Sequence, residues 1–160
     1  MKPLFSNIVT AVTGSDASIL AAKYAIVMAR LYNCKLCAVY VVDTATIRQL
    51  QLSKIFIQEE SAEYERSLEA NGERYLSFVE GLARDKGVKI EREIRKGAVF
   101  TEILTVADDR KADLIVLGGW EKDRSPRDIV GHAHREIIIN AKCSVIVVKS
   151  PNIEQIYKQI

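Results

Sequence analysis

Short runs of apolar residues alternate along this chain with longer stretches whose apolar positions recur every three or four residues. The first run, Ile8 to Val12, is rich in β-formers and is ended by Gly14. A helical pattern then begins at Ser15 or Asp16, both good N-cap residues, and continues to about Tyr32. Ile19, Ala22, Ala25, Ile26 and Ala29 share one face of it, and the small alanines predict a close approach to a sheet. Leu36 to Val42 is almost wholly apolar, the pattern of a strand buried on both faces. Residues 44 to 57 read as a loop with a helical turn, although Leu50, Leu52, Ile55 and Phe56 make it unusually apolar. Such a stretch suits a lid over a cleft or a contact between subunits. A long helix follows from about Gln58 to Lys86, with Tyr64, Leu68, Tyr75, Phe78, Val79 and Leu82 as its apolar stripe and Gly87 as its terminator.

The second half repeats the alternation. Val88 to Arg95 interleaves apolar and charged residues, which predicts a half-buried strand at a sheet edge. A helix from about Val99 to Arg110 turns Ile103, Leu104 and Ala107 inward. Leu114 to Leu117 is a fully apolar strand closed by Gly118-Gly119. Ser125-Pro126-Arg127-Asp128 has a Ser cap, Pro at the first helical position and an acid three residues after the Ser, and predicts a helix to about Asn140. Val145 to Val148 is the last strand, and Pro151 ends it.

Five strands alternating with four helices imply an α/β fold: a single open parallel sheet with helices on both faces, joined by right-handed crossovers. The most apolar strands belong in the centre and the charged third strand at an edge. The order 3-2-1-4-5 satisfies both and reverses direction between strands one and four. Ligands of open α/β sheets bind at that switch point, outside the carboxyl ends of the strands. The candidate site therefore lies in two loops, Thr13 to Asp16 and Gly118 to Gly131.

Composition narrows the function classes. A chain of 160 residues fits one domain, here residues 1–150, followed by a tail over 151–160. The tail residues Ile153, Ile156, Tyr157 and Ile160 have helix-like spacing. A formal charge of +2 is too balanced for a nucleic-acid binder working through a basic face. No apolar run approaches the ~20 residues that span a bilayer, and the first residues lack the apolar core of a secretory leader. Three cysteines, an odd number, do not suggest a disulfide scaffold, so the expected setting is a reducing cytoplasm. Cys34 and Cys37 form a C-x-x-C, but at the start of a strand residues three apart point to opposite faces, unlike a redox pair at a helix N-terminus. His132 and His134 are two residues apart, a poor chelating pair on a helix. Trp120, the single tryptophan, sits in the switch-point loop and suits either stacking on a ligand or capping the core. Nothing in the chain pairs a nucleophile with a base.

At the switch-point loops the chain resembles the universal stress protein family. Asn7 to Ser15 is similar to that family's opening strand and turn, and Arg95-Lys96-Gly97 to its glycine after the third strand. Ala112-Asp113-Leu114-Ile115-Val116-Leu117-Gly118 is the most specific match, and Cys143 to Lys149 resembles the last strand. The resemblance implies a Rossmann-like fold of the adenine nucleotide alpha hydrolase type. It implies a regulatory or stress-response role without catalysis, and a candidate adenine-nucleotide site at Val12, Thr13, Val41, Leu117, Gly118, Glu121, Gly131, His132 and Ala133. It also implies a homodimer through the last strand, Cys143 to Lys149, which would cover an apolar edge otherwise prone to aggregation. A further protein partner is left open.

The family's ATP-binding branch carries G-x2-G-x9-G-[S/T]. Here the spacing is intact, but the residues are Gly118, Glu121, Gly131 and His132. Glu121 puts a carboxylate where bare backbone would meet phosphate. At about 4 Å and an effective dielectric of about 20, two like unit charges repel by about 4 kcal/mol. Lys122, Arg124 and Arg127 stand close enough in sequence to compensate. Thr13 stands where the ATP binders usually carry an Asp. The expected site is thus a degenerate nucleotide site with no certain cofactor, and ATP or another adenine nucleotide, with slow hydrolysis or none, is the alternative.

Overall fold

In the computed structural model, residues 1–119 and 129–160 are described. The Ser125–Asp128 helix start, Trp120, Glu121, Lys122 and Arg124 lie outside the described residues. The elements run β1 (Asn7–Ala11), α1 (Asp16–Tyr32), β2 (Lys35–Asp43), α2 (Thr44–Leu52), α3 (Gln58–Asp85), β3 (Ile90–Gly97), α4 (Val99–Asp109), β4 (Leu114–Gly118), α5 (Ile129–Asn140), β5 (Ser144–Val148) and α6 (Ile153–Gln159). All four strand pairings are parallel and the order is β3-β2-β1-β4-β5, as the polarity of the strands predicts.

The central strands carry the core. Every residue of β4 is buried, and Leu36 to Tyr40 of β2 are buried without interruption. Each such Leu, Val or Ile contributes about 1.5–3 kcal/mol by leaving water. On one face α1, α3 and α6 cover Ile8, Leu36, Leu114, Val116 and Val148. On the other, α4 and α5 cover Val9, Cys37, Val39, Ile115 and Leu117. Ala21, Ala22 and Ala25 are wholly buried, so α1 lies against the sheet as its alanines predict. Thr10, the buried polar residue of β1, donates its hydroxyl to the Val116 carbonyl at 3.2 Å. Asp113 explains the most specific sequence match. Its carboxylate accepts from the Ser6 N–H at 2.8 Å and the Asn7 N–H at 3.2 Å, tying the start of β1 to the start of β4.

Two sequence expectations change. Residues 44–52 form a helix rather than a loop, because Asp43 ends β2 and caps α2 in one step, accepting the Thr46 N–H at 3.0 Å and the Thr46 hydroxyl at 2.7 Å. With no punctuating residue between strand and helix, periodicity alone missed the boundary. On α3, Val79 is buried and Leu68, Tyr75 and Leu82 pack against the core as expected, but Gly72, Leu76 and Ala83 share that face while Tyr64 and Phe78 are exposed. Gly72 is there for space, since a Cβ would lie 2.5 Å from the Tyr40 ring. The tail forms α6, as its helix-like spacing predicts. Its Tyr157 donates to the Leu82 carbonyl at 2.7 Å, and Glu154 pairs with Lys23 at 2.7 Å, so it packs on α1 and the end of α3.

β3 is the charged edge. Arg92 pairs with Glu73 and Glu80, Lys96 with Glu65 and Glu69, and Arg110 with Glu91 and Glu93. These exposed pairs add little stability individually, but charges along an edge discourage further strand pairing.

Candidate functional site

The carboxyl ends of β1, β2 and β4 open onto a cavity of about 270 Å³. Ala11, Val12 and Thr13 enter it from β1 and its following turn, Val39 to Val41 and Asp43 from β2, and Leu117 from β4. Thr46, Ile47 and Leu50 of α2 form one wall. Tyr64 and Leu68 of α3, Val99 and Ile103 of α4, and Ala133, His134 and Ile137 of α5 complete the lining. The cavity is mainly apolar with a few polar groups set into it, and its volume is close to the lower bound of about 300 Å³ for small-molecule sites.

The polar groups are held in place. The Thr13 hydroxyl is 3.0 Å from that of Ser15, and the Thr13 N–H donates to the Ser18 hydroxyl at 3.1 Å. Ser15 in turn caps α1, accepting from the Ser18 N–H. Gly14 adopts φ +84°, and the Tyr75 ring occupies the space a Cβ would need. His134 is buried with Nε2 2.6 Å from the Gly118 carbonyl oxygen. That oxygen only accepts, so Nε2 carries the proton. Burial, followed by the Tyr75 and Tyr64 phenols, pushes the Tyr40 hydroxyl above its ordinary range.

Of the residues singled out in the sequence, Val12, Thr13, Val41, Leu117 and Ala133 line this cavity together. Gly118 sits just behind it, where it admits the first turn of α1: a Cβ would lie 2.6 Å from the Ala17 carbonyl carbon. Gly131 is half-buried in the first turns of α5, and His132 is exposed with its ring edge-on to Phe100 at 5.9 Å. Asp43, Thr46, Tyr40 and His134 were missed. Asp43 and Thr46 carried a signal, a capping residue directly after a buried strand and a Thr three residues on. His134 carried none, because its burial depends on a carbonyl 16 residues away.

The C-x-x-C is split by the sheet. Cys37 packs under α4 and α5 and Cys34 beside α1, on the opposite face. All three cysteines are free, and burial pushes the Cys37 thiol up to about 12. Among the described residues no group of three His, Cys, Asp or Glu side chains is placed to hold a metal ion. No helix among them is long and apolar enough to cross a membrane.

The model of the universal stress protein family matches residues 4–149. The chain belongs to that family. A universal stress protein of Methanocaldococcus jannaschii is 37% identical over 153 residues, covering 94% of this chain and 86% of its own. The universal stress protein UspA from Lactobacillus plantarum superposes with a TM-score of 0.76 at 25% identity, over 92% of this chain and 100% of that one. Two further structures share the fold and were solved with nucleotides. One is the universal stress protein from Archaeoglobus fulgidus in complex with dAMP (TM-score 0.61, 22% identity, 92% and 100% coverage). The other is a family protein from Arabidopsis thaliana with AMP bound (TM-score 0.65, 17% identity, 93% and 94% coverage).

Proposed function

We propose that this universal stress protein is a cytoplasmic regulator that binds an adenine mononucleotide without turning it over, and that it works as a homodimer. The observation that carries the reading is the apolar cavity at the switch point, walled by Val12, Thr13, Val41, Leu117 and Ala133. A flat, largely apolar base suits such walls, and the ends of parallel strands are where doubly wound sheets take nucleotides. The relatives with dAMP and AMP bound support the same ligand class. A monophosphate is preferred to ATP because Glu121 occupies a position of the phosphate-binding pattern that favours glycine. Binding rather than turnover fits a lining whose threonine hydroxyls are already engaged, Thr13 with Ser15 and Thr46 with Asp43.

The three free thiols suit a reducing compartment. The dimer reading rests on β5, an edge strand whose Val145, Ile146 and Val147 are only half-buried in the single chain. Light scattering is expected to give twice the 17.9 kDa chain mass, and Val147→Lys to halve it; a wild-type monomer at micromolar concentration refutes the dimer. The ATP reading retains one observation, the intact spacing of Gly118, Glu121 and Gly131. Mass spectrometry of nucleotide released from purified protein, followed by calorimetric titration with AMP and ATP, separates the readings. AMP is expected to bind more tightly, and Glu121→Gly with His132→Ser to gain ATP affinity. Tighter ATP binding by the wild type overturns the monophosphate preference, and no binding of either overturns the function.

A further inference from the structure

We propose that Asp43 is a specificity-determining residue of the cavity, its carboxylate accepting hydrogen bonds from the ribose hydroxyls of the bound nucleotide. The inference rests on the adenine-nucleotide reading above. Among the described lining residues Asp43 supplies the one carboxylate, and no Lys or Arg accompanies it. A lone negative charge beside apolar walls repels phosphate and seeks uncharged hydrogen-bond donors. It therefore sorts the ligand end to end, with the nucleoside inward and the phosphate outward.

The carboxylate is also prepared for that task. An ionised carboxylate only accepts, with about four lone-pair sites over two oxygens. Thr46 takes one site on each oxygen, its N–H on Oδ1 at 3.0 Å and its hydroxyl on Oδ2 at 2.7 Å. Both oxygens keep capacity, and the two bonds fix the rotamer before any ligand arrives, which lowers the cost of binding. Strand alternation puts Val39, Val41 and Asp43 on one face of β2, so the carboxylate stands at the end of an apolar floor. Two adjacent acceptors match two vicinal hydroxyl donors. In dinucleotide-binding doubly wound sheets an acid likewise accepts from a ribose hydroxyl.

Capping α2 is the competing explanation for Asp43, and two variants separate the roles. Asn is as good an N-cap as Asp, so Asp43→Asn preserves the helix start while removing the charge. Thr46→Val weakens the cap contact and leaves the carboxylate. Nucleotide-free protein is titrated calorimetrically with AMP and with 2′-deoxy-AMP. Wild type is expected to prefer AMP by roughly tenfold, the worth of one hydrogen bond to a charged group. Asp43→Asn is expected to weaken AMP by roughly ten- to a hundredfold and to erase the preference, while Thr46→Val, which loosens the rotamer but leaves the carboxylate, weakens AMP less and keeps the preference. Equal binding of the two ligands by wild type, or a preference that survives in Asp43→Asn, overturns the role of Asp43 and leaves the nucleotide reading standing. Binding of neither ligand by wild type overturns both.

Discussion

Gly118→Ala tests whether the glycine that opens the nucleotide-like pattern is held by packing. A Cβ at position 118 would lie 2.6 Å from the carbonyl carbon of Ala17, 2.7 Å from its oxygen and 2.8 Å from the Ser18 nitrogen. These are backbone atoms, so no side chain can rotate aside. To reach ordinary carbon contact at about 3.5 Å the first turn of α1 must retreat by roughly 0.9 Å. Ser18 moves with that turn, and its hydroxyl accepts the Thr13 N–H at 3.1 Å. Overpacking costs about 1–3 kcal/mol and the weakened hydrogen bond about 1 kcal/mol, so a loss of roughly 3 kcal/mol is expected. For a chain of this length that lowers Tm by roughly 6–12 °C. Gly81→Ala is the control, since among the described residues nothing lies within 4 Å of its Cβ position in α3. It is expected to gain up to about 1 kcal/mol of helix propensity and raise Tm by a few degrees. Thermal unfolding by circular dichroism at one fixed protein concentration reads both. A Gly118→Ala protein melting within about 1 °C of wild type refutes the packing role.

Other consequences follow from single groups. Cys37 has its thiol pushed up to about 12 by burial, with Arg110 opposing and Glu93 and Glu91 reinforcing. The unfolded chain then loses its proton first as pH rises, so stability falls between about pH 9 and 12; Cys37→Ala should flatten that alkaline limb, and an unchanged limb contradicts the assignment. Asp113→Ala leaves the Ser6 and Asn7 N–H groups without their carboxylate; a loss of about 1.5–3 kcal/mol in urea unfolding is expected, and a neutral result removes Asp113 as the tie between β1 and β4. Ser61 is buried in α3 and its hydroxyl has no hydrogen-bond partner among the described residues. Ser61→Ala should therefore stabilise by about 1 kcal/mol, and destabilisation would show that the hydroxyl has a partner.

The sheet was legible because burial on both faces writes itself into composition. β2 and β4 are continuous apolar runs, β3 interleaves charges, and the order 3-2-1-4-5 places the apolar strands inside and the charged one at an edge. Val12, Thr13, Val41, Leu117 and Ala133 were legible from a family pattern anchored on strand ends. The rest of the cavity was not, for local reasons. Asp43 is at once the last residue of a strand and the cap of a helix, so its capping signal comes with no loop to mark the boundary. On α5, Ala133, His134 and Ile137 are buried while His132 is exposed, a choice set by what α5 packs against rather than by spacing along the chain. On α3, Leu76 is buried against Ala38, Tyr40 and Val42 of β2 while Phe78 is exposed, a choice set by the sheet face that α3 covers.

The central claim is that an adenine mononucleotide occupies the hollow at the carboxyl ends of the strands. A larger hollow of about 830 Å³ lies at their amino ends, lined by Arg30, Lys35, Lys89, Arg110 and Lys111, and offers an anion a competing surface. Titrating isotope-labelled protein with AMP and following backbone amide shifts by NMR distinguishes the two. The account predicts saturable shifts at Val12, Thr13, Val41, Asp43, Leu117 and Ala133, with Lys35, Lys89 and Lys111 unmoved. Shifts confined to the lysine-lined end, or none at millimolar AMP, would contradict it.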